Sequence, residues 1–156
     1  MGPIKVLFVC TFRGGRGKIA EIVGNSFGND NIEFFCSGFE AGFLKGLCSE
    51  AMEDIGFEFP VAPLKTVFER HLDNEKFDYL ITMCDESTFE NCFLLLESVA
   101  NLFGDTTRFI HWSIPDFIGL SGSEFEKKEG AQNIKHLIME HVANLIEEIG
   151  ALDTKV

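Results

Sequence analysis

Residues Val6–Glu21 read VLFVCTFRGGRGKIAE: an apolar run ending on Cys10, a loop holding Gly14 and Gly15, then Arg16 ahead of a helix-forming stretch. The run Ile4-Lys5-Val6-Leu7-Phe8-Val9 is short and rich in β-branched residues, so it reads as a buried strand. The two glycines break it, and Lys18 to Phe27 then reads as a helix. A loop between a strand and a helix can aim several backbone N–H groups inward, where they suit an anion. Glycine lets such a loop bend tightly. The guanidinium of Arg16 is a planar fork matched to two oxygens of a tetrahedral anion. The same positive field favours thiolate at Cys10, which would lie under a bound oxyanion for in-line attack. The plainer alternative is a small core residue before an ordinary turn, because cysteine is among the most buried residue types.

Outward from this stretch, strands and helices alternate. Asn31–Cys36 reads as a second strand, Ser49–Ile55 as a helix stopped by Gly56, and Thr66–Leu72 as a short helix. Phe77–Met83 is a third strand, Glu90–Phe103 a helix and Arg108–His111 a short fourth strand. Residues 112–124 carry loop signals at Pro115, Gly119 and Gly122. Ala131–Ile149 is a long amphipathic helix, with Ile134, Leu137, Ile138, Val142, Leu145, Ile146 and Ile149 on one stripe. The alternation predicts an α/β fold with a parallel sheet, and with no repeat or linker it predicts a single domain over 1–156. Ligands of such sheets lie at the carboxyl ends of the strands. Cys10 ends the first strand, Cys84 ends the third, and His111 and Trp112 follow the fourth, so separate stretches converge on one edge.

The 156 residues are enough for one proper core, and a hydrophobic content of 46% rules out disorder by composition. The 17 phenylalanines are core material first. No apolar run approaches the roughly 20 residues that cross a bilayer, and no signal peptide is visible, so a cytoplasmic protein is expected. A net charge of −12 argues against nucleic acid or an anionic membrane as partner. Lys5, Arg13, Arg16 and Lys18 nonetheless precede the first acid, Glu21, which suggests a small anion site. The five cysteines are an odd number without an export signal, against a structural disulfide framework. No CxxC pair occurs and His136 and His141 lack zinc spacing, so no metal is expected.

VLFVCTFRGGRGKIAE resembles the phosphate-binding loop of the low-molecular-weight protein tyrosine phosphatase superfamily, which includes the thioredoxin-coupled arsenate reductases. The match rests on the apolar strand, Cys10, Arg16 and Ala20-Glu21. It continues along the chain. CSGFEA from Cys36 resembles the Ser-x-Gly segment after the second strand, YLITMCD from Tyr79 the reductase segment bearing a second cysteine, and HWSIPD from His111 the loop with the catalytic aspartate. The resemblance implies a single three-layer domain, with a four-stranded parallel sheet flanked by helices in flavodoxin-like winding. Three departures stand out. Phe12-Arg13 replaces the usual Gly-Asn, Phe117 replaces the proline after Asp116, and Gly17 replaces a Ser or Thr whose hydroxyl normally bonds the cysteine sulfur.

Two chemistries follow from the resemblance. In both, Cys10 attacks a tetrahedral centre, Thr11, Phe12, Arg13, Gly14, Gly15 and Arg16 form the oxyanion cradle, and Asp116 protonates the leaving oxygen. A phosphatase then hydrolyses the phosphocysteine of an aryl phosphate with water. A reductase resolves the Cys10–arsenate adduct with Cys84 and passes the disulfide to Cys92. Cys84 at the end of the third strand favours the arsenate reductase, with no organic cofactor or metal, thioredoxin as the external thiol reductant, and a monomer as the expected state. Cys84 and Cys92 are eight positions apart, about 12 Å along a helix, whereas a disulfide needs Cα atoms within about 7 Å. Residues 84–98 are therefore expected to rearrange on oxidation. Cys36 and Cys48 read as structural. The other readings are a protein tyrosine phosphatase using Cys10, Arg16 and Asp116 alone, and a non-catalytic oxyanion-binding relative.

Overall fold

The computed structural model describes residues 2–10, 15–39, 46–59, 64–85, 92–104 and 107–153. Its centre is the opening strand, β1 (Ile4–Cys10). β2 (Ile32–Ser37), β3 (Tyr79–Met83) and β4 (Arg108–Trp112) complete a parallel sheet in the order β2-β1-β3-β4. The chain moves from β1 to β2 on one side, then crosses back to β3 and β4. The reversal falls between β1 and β3, where this winding opens its ligand crevice. Register sets Phe8 opposite Cys36 and Ile81, and Cys10 opposite Met83.

Helices cover both faces. Val6, Phe8 and Cys10 share one face with Phe34, Cys36, Ile81 and Met83, beneath α1 (Gly15–Phe27), α2 (Leu47–Glu53) and α5 (Glu124–Asp153). Leu7 and Val9 share the other with Leu80 and Cys84, beneath α3 (Val67–Leu72) and α4 (Cys92–Phe103). This is why β1 is apolar without alternation: Val6 to Cys10 are all 0% exposed. Aromatic rings fill the sheet surfaces. Phe8 stacks on Phe34 with centroids 5.8 Å apart and lies 5.6 Å from Trp112, while Phe77 meets Phe35 and Phe103 edge-on across the other face.

Several boundaries differ from expectation, each with a local cause. α1 begins at Gly15, not Lys18. Glycine is a poor helix former, but its first turn is packed so tightly that a side chain at Gly15 would meet the Cys48 sulfur at 3.3 Å. α5 begins at Glu124 rather than Ala131, inside the expected loop. Ser123 starts it: its hydroxyl accepts from the Glu126 N–H at 3.1 Å, and the Glu126 carboxylate accepts from the Ser123 N–H at 3.4 Å. That reciprocal pair is a capping box. β3 starts at Tyr79, two residues later than expected, because Asp78 is engaged with Lys5 of β1 at both its N–H and its carboxylate. α3 starts as expected, with Thr66 accepting from the Glu69 N–H.

Candidate active site

The carboxyl ends of β1, β3 and β4 meet at the start of α1. Cys10 is the last residue of β1, fully buried and in no disulfide. Arg16 and Gly17 lie in the first helical turn, where backbone N–H groups have no partner within the helix. Arg16 is 1% exposed. Its Nη1 donates to the Ile114 carbonyl at 2.8 Å, and its Nη2 pairs with Asp116 Oδ2 at 3.2 Å. Helix start and the loop after β4 are thus tied at one guanidinium, across 98 and 100 residues of sequence.

The loop carrying Asp116 is held by its apolar neighbours. Ile114 and Phe117 are buried in the cluster that contains Cys10. Phe117 also opens a 3-10 turn, Phe117–Gly119, whose first N–H groups Asp116 caps: its side chain accepts from Ile118 at 3.5 Å and its carbonyl from Gly119 at 3.3 Å. Phe117 thereby fixes the loop by burial, where a proline would stiffen it by its ring. The basic character expected of the opening segment is largely compensated in space, since Lys18 pairs with Glu21 at 2.5 Å and Arg16 with Asp116.

Of the expected oxyanion loop, Gly15 and Arg16 are placed at the site, while Thr11, Phe12, Arg13 and Gly14 lie outside the described residues. Cys84 follows β3 directly, and its N–H donates to the Trp112 carbonyl at 3.3 Å. It is fully buried and disulfide-bonded. Because Cys10 pairs with Met83, Cys84 stands next door along the strand but on the opposite face of the sheet. Cys92 is the first residue of α4, so Cys84 and Cys92 do not share a helix; residues 86–91 between them lie outside the described residues. Thr82 Oγ1 and His111 Nδ1 are 2.8 Å apart on the paired strands β3 and β4. Among the described residues, no group of three or more His, Cys, Asp or Glu is arranged to hold a metal ion.

Three residues at the site escaped the sequence reading. Cys36 and Cys48, read as structural, both stand beside the first turn of α1. A side chain begun at Gly17 would lie 3.5 Å from the Cys10 sulfur and 3.3 Å from the Cys36 Cβ, and one begun at Gly15 would lie 3.3 Å from the Cys48 sulfur. Burial, and then the charge of Glu21, raises the Cys36 thiol well above its ordinary range. Burial pushes Cys48 from 9.0 to about 11, with Asp116 and Cys10 adding to the rise. Arg70 is the third. From α3 it reaches the carboxyl end of β2, donating from Nε to Ser37 Oγ at 2.6 Å and from Nη2 to the Cys36 carbonyl at 3.1 Å. Its charge is met by Glu75 at 2.8 Å and by the faces of Phe35 and Phe77. No local pattern announces these positions; they depend on β1–β2 register and on where α2 and α3 dock.

A parallel sheet wound in this order, a cysteine closing its central strand, an arginine in the following helical turn and an aspartate on the loop after β4 define the low-molecular-weight phosphatase fold. The chain is similar to arsenate reductases of that fold over most of its length. No family model matches it. An arsenate reductase of Staphylococcus epidermidis is 25% identical over 122 residues, covering 78% of this chain and 85% of that one. An arsenate reductase solved in its phosphate-binding state superimposes with a TM-score of 0.68 at 23% identity, covering 94% of this chain and 98% of the other. A thioredoxin-dependent arsenate reductase of Corynebacterium glutamicum gives 0.62 at 20% identity over 96% of this chain and 63% of the other. A low-molecular-weight phosphotyrosine phosphatase of Vibrio cholerae gives 0.66 at 18% identity over 94% and 97%.

Proposed function

We propose that this protein is an arsenate reductase that reduces arsenate to arsenite through a three-cysteine cycle. The observation that carries the reading is the state of the cysteines: Cys84 is disulfide-bonded at the end of β3, while Cys10, one strand away, is in no disulfide. A phosphatase has no use for the first of these. By the resemblance, the partner of Cys84 in the finished cycle is Cys92. The cycle begins with Cys10 thiolate attacking arsenic, with Asp116 giving a proton to the oxygen that leaves as water. Arg16 and the amides of the first α1 turn hold the remaining oxygens. Cys84 then attacks the Cys10 sulfur. The S–As bond breaks, its electron pair stays on arsenic, and arsenite leaves behind a Cys10–Cys84 disulfide. Cys92 attacks Cys84, which releases Cys10 as thiolate and forms Cys84–Cys92.

Cys84 must cross from one face of the sheet end to the other between these steps, so residues 84–98 rearrange. An external dithiol, thioredoxin, reduces Cys84–Cys92 and returns the enzyme, and no resident cofactor or metal takes part. A cycle run by thioredoxin belongs in a reducing compartment, the cytoplasm. The test is arsenate-dependent NADPH oxidation by the pure protein with thioredoxin and thioredoxin reductase. Turnover should vanish in Cys84→Ser while hydrolysis of an aryl phosphate continues. Absence of arsenate turnover beside intact aryl phosphate hydrolysis in the unaltered protein would favour the phosphatase instead, which the Cys10, Arg16 and Asp116 geometry also supports.

A further inference from the structure

Residues 19–39 and 136–153 contain none of the chain's 13 lysines and arginines, yet they carry the exposed acids Asp30, Glu33, Glu140, Glu147 and Glu148. These segments supply the packed helices α1 and α5. Where the two helices meet, Val23 and Phe27 of α1 and Met139, Val142, Ala143 and Ile146 of α5 line a cleft of about 300 Å³. Every lining residue is apolar. Val23 and Val142 are buried and form its floor. Phe27 is 63% exposed and forms a wall, with its ring held edge-on by Phe57 at a centroid distance of 6.1 Å. Ala143 is exposed and small, so it leaves the cleft open to solvent.

An exposed phenylalanine on the wall of an open apolar cleft marks a surface that something covers. The rim says what. Glu140 and Glu147 each directly follow a lining residue, Met139 and Ile146, and their spacing of seven sets them on one line of α5. Both are exposed, and neither has a cationic partner among the described residues. A second copy of the chain would set like rims together between two molecules of net charge −12, and an anionic lipid surface would be repelled in the same way. The complementary occupant is cationic beside its apolar residues. A groove between two helices takes a third helix, whose apolar residues recur at i, i+3, i+4 and i+7.

We propose that the α1–α5 cleft docks a basic amphipathic helix of a partner protein, with its apolar anchors between Phe27 and Ala143 and its Lys or Arg side chains at Glu140 and Glu147. Phe27 and Gly15 are the two ends of the 13-residue α1, about 18 Å apart. Cys10 and Arg16 lie at the Gly15 end, so a helix docked at Phe27 tethers the enzyme and leaves its site open.

The probe is a fluorescent Leu/Lys peptide of about 16 residues with leucine at i, i+3, i+4 and i+7, titrated with the full chain at about 0.15 M salt and read by anisotropy. A peptide of the same composition, scrambled to have no apolar face, should bind about tenfold more weakly or worse. Ala143→Glu separates docking from bulk attraction. It makes the protein more acidic but puts a charge into the cleft, so the helical peptide should bind about 10–100-fold more weakly. Glu140→Gln with Glu147→Gln keeps the cleft and should weaken binding about 2–10-fold, with a shallower salt dependence. Urea midpoints should stay together across these variants, because all three positions are exposed. Equal binding of the helical and scrambled peptides overturns the proposal, as does an Ala143→Glu variant that binds like the unaltered protein. Undiminished binding in the double glutamine variant overturns the basic character assigned to the partner. An unaltered protein that sediments as a dimer, and becomes monomeric in Ala143→Glu, would show that a second copy fills the cleft and would overturn the proposal as well.

Discussion

Asp116 and an incoming oxyanion compete for one guanidinium. The Asp116 carboxylate lies 3.2 Å from Arg16 Nη2, with Arg16 1% and Asp116 23% exposed. An oxyanion that engages Arg16 brings negative charge to about 5 Å from that carboxylate. Like charges at this separation repel by about 3 kcal/mol at an effective dielectric of 20. Partial exposure lets the carboxylate swing and be screened, which leaves about 1–2 kcal/mol. Asp116→Asn removes the charge yet keeps an oxygen for the Ile118 N–H, so the loop keeps its cap. Phosphate should therefore bind the variant about 5–30-fold more tightly, read by titration calorimetry. Turnover should move the other way, falling about 10²–10⁴-fold with loss of the general acid. Tighter binding joined to slower chemistry is hard to obtain from a misfolded loop, which would weaken both. Phosphate affinity in Asp116→Asn that is unchanged or weaker would refute the competition.

Two other outcomes test the packing and charge around the site. Gly24→Ala in α1 should destabilise the protein by about 1–3 kcal/mol in urea denaturation, although alanine normally improves a helix, because the new methyl would lie 2.6 Å from the Phe34 ring stacked on Phe8; a stabilised variant would show that the ring yields freely. Stability should also fall as pH rises above about 9. Cys36 and Cys48 are protonated in the fold after the unfolded chain's thiols have ionised, so the unfolded state binds fewer protons there. Cys48, raised from 9.0 to about 11, accounts for about 2–3 kcal/mol of that loss by pH 11, and Cys48→Ala should flatten the slope in urea midpoints taken at mild and strongly alkaline pH.

Local pattern carried the framework of this protein. An apolar run without alternation implies a strand covered on both faces, and β1 is that strand. Strands alternating with helices imply parallel pairing, and in such a sheet Cys10 and Cys84 must end at the same edge. Even the missed start of α5 was written locally, as Ser123 followed three residues later by Glu126; the apolar stripe hid it because the first two turns are charged and lie outside that stripe.

Other features have no local signature because they are contacts between distant segments. Arg16 meets Asp116 across 100 residues, and it is burial of Ile114 and Phe117 that brings the loop to the arginine. Cys36 and Cys48 look like any buried thiols in their own segments. Register sets one opposite Phe8 and beside Gly17, and the docking of α2 against the first turn of α1 places the other beside Gly15. The face on which Cys84 lies follows from a strand period of two counted from Met83, but its bonding is a matter of tertiary approach. Secondary structure follows from neighbours a few residues apart, so a linear reading reaches it. The electrostatics of a thiol depend on every group within several ångströms, whatever its place in the chain, and those groups are assembled only when the sheet closes and its helices dock.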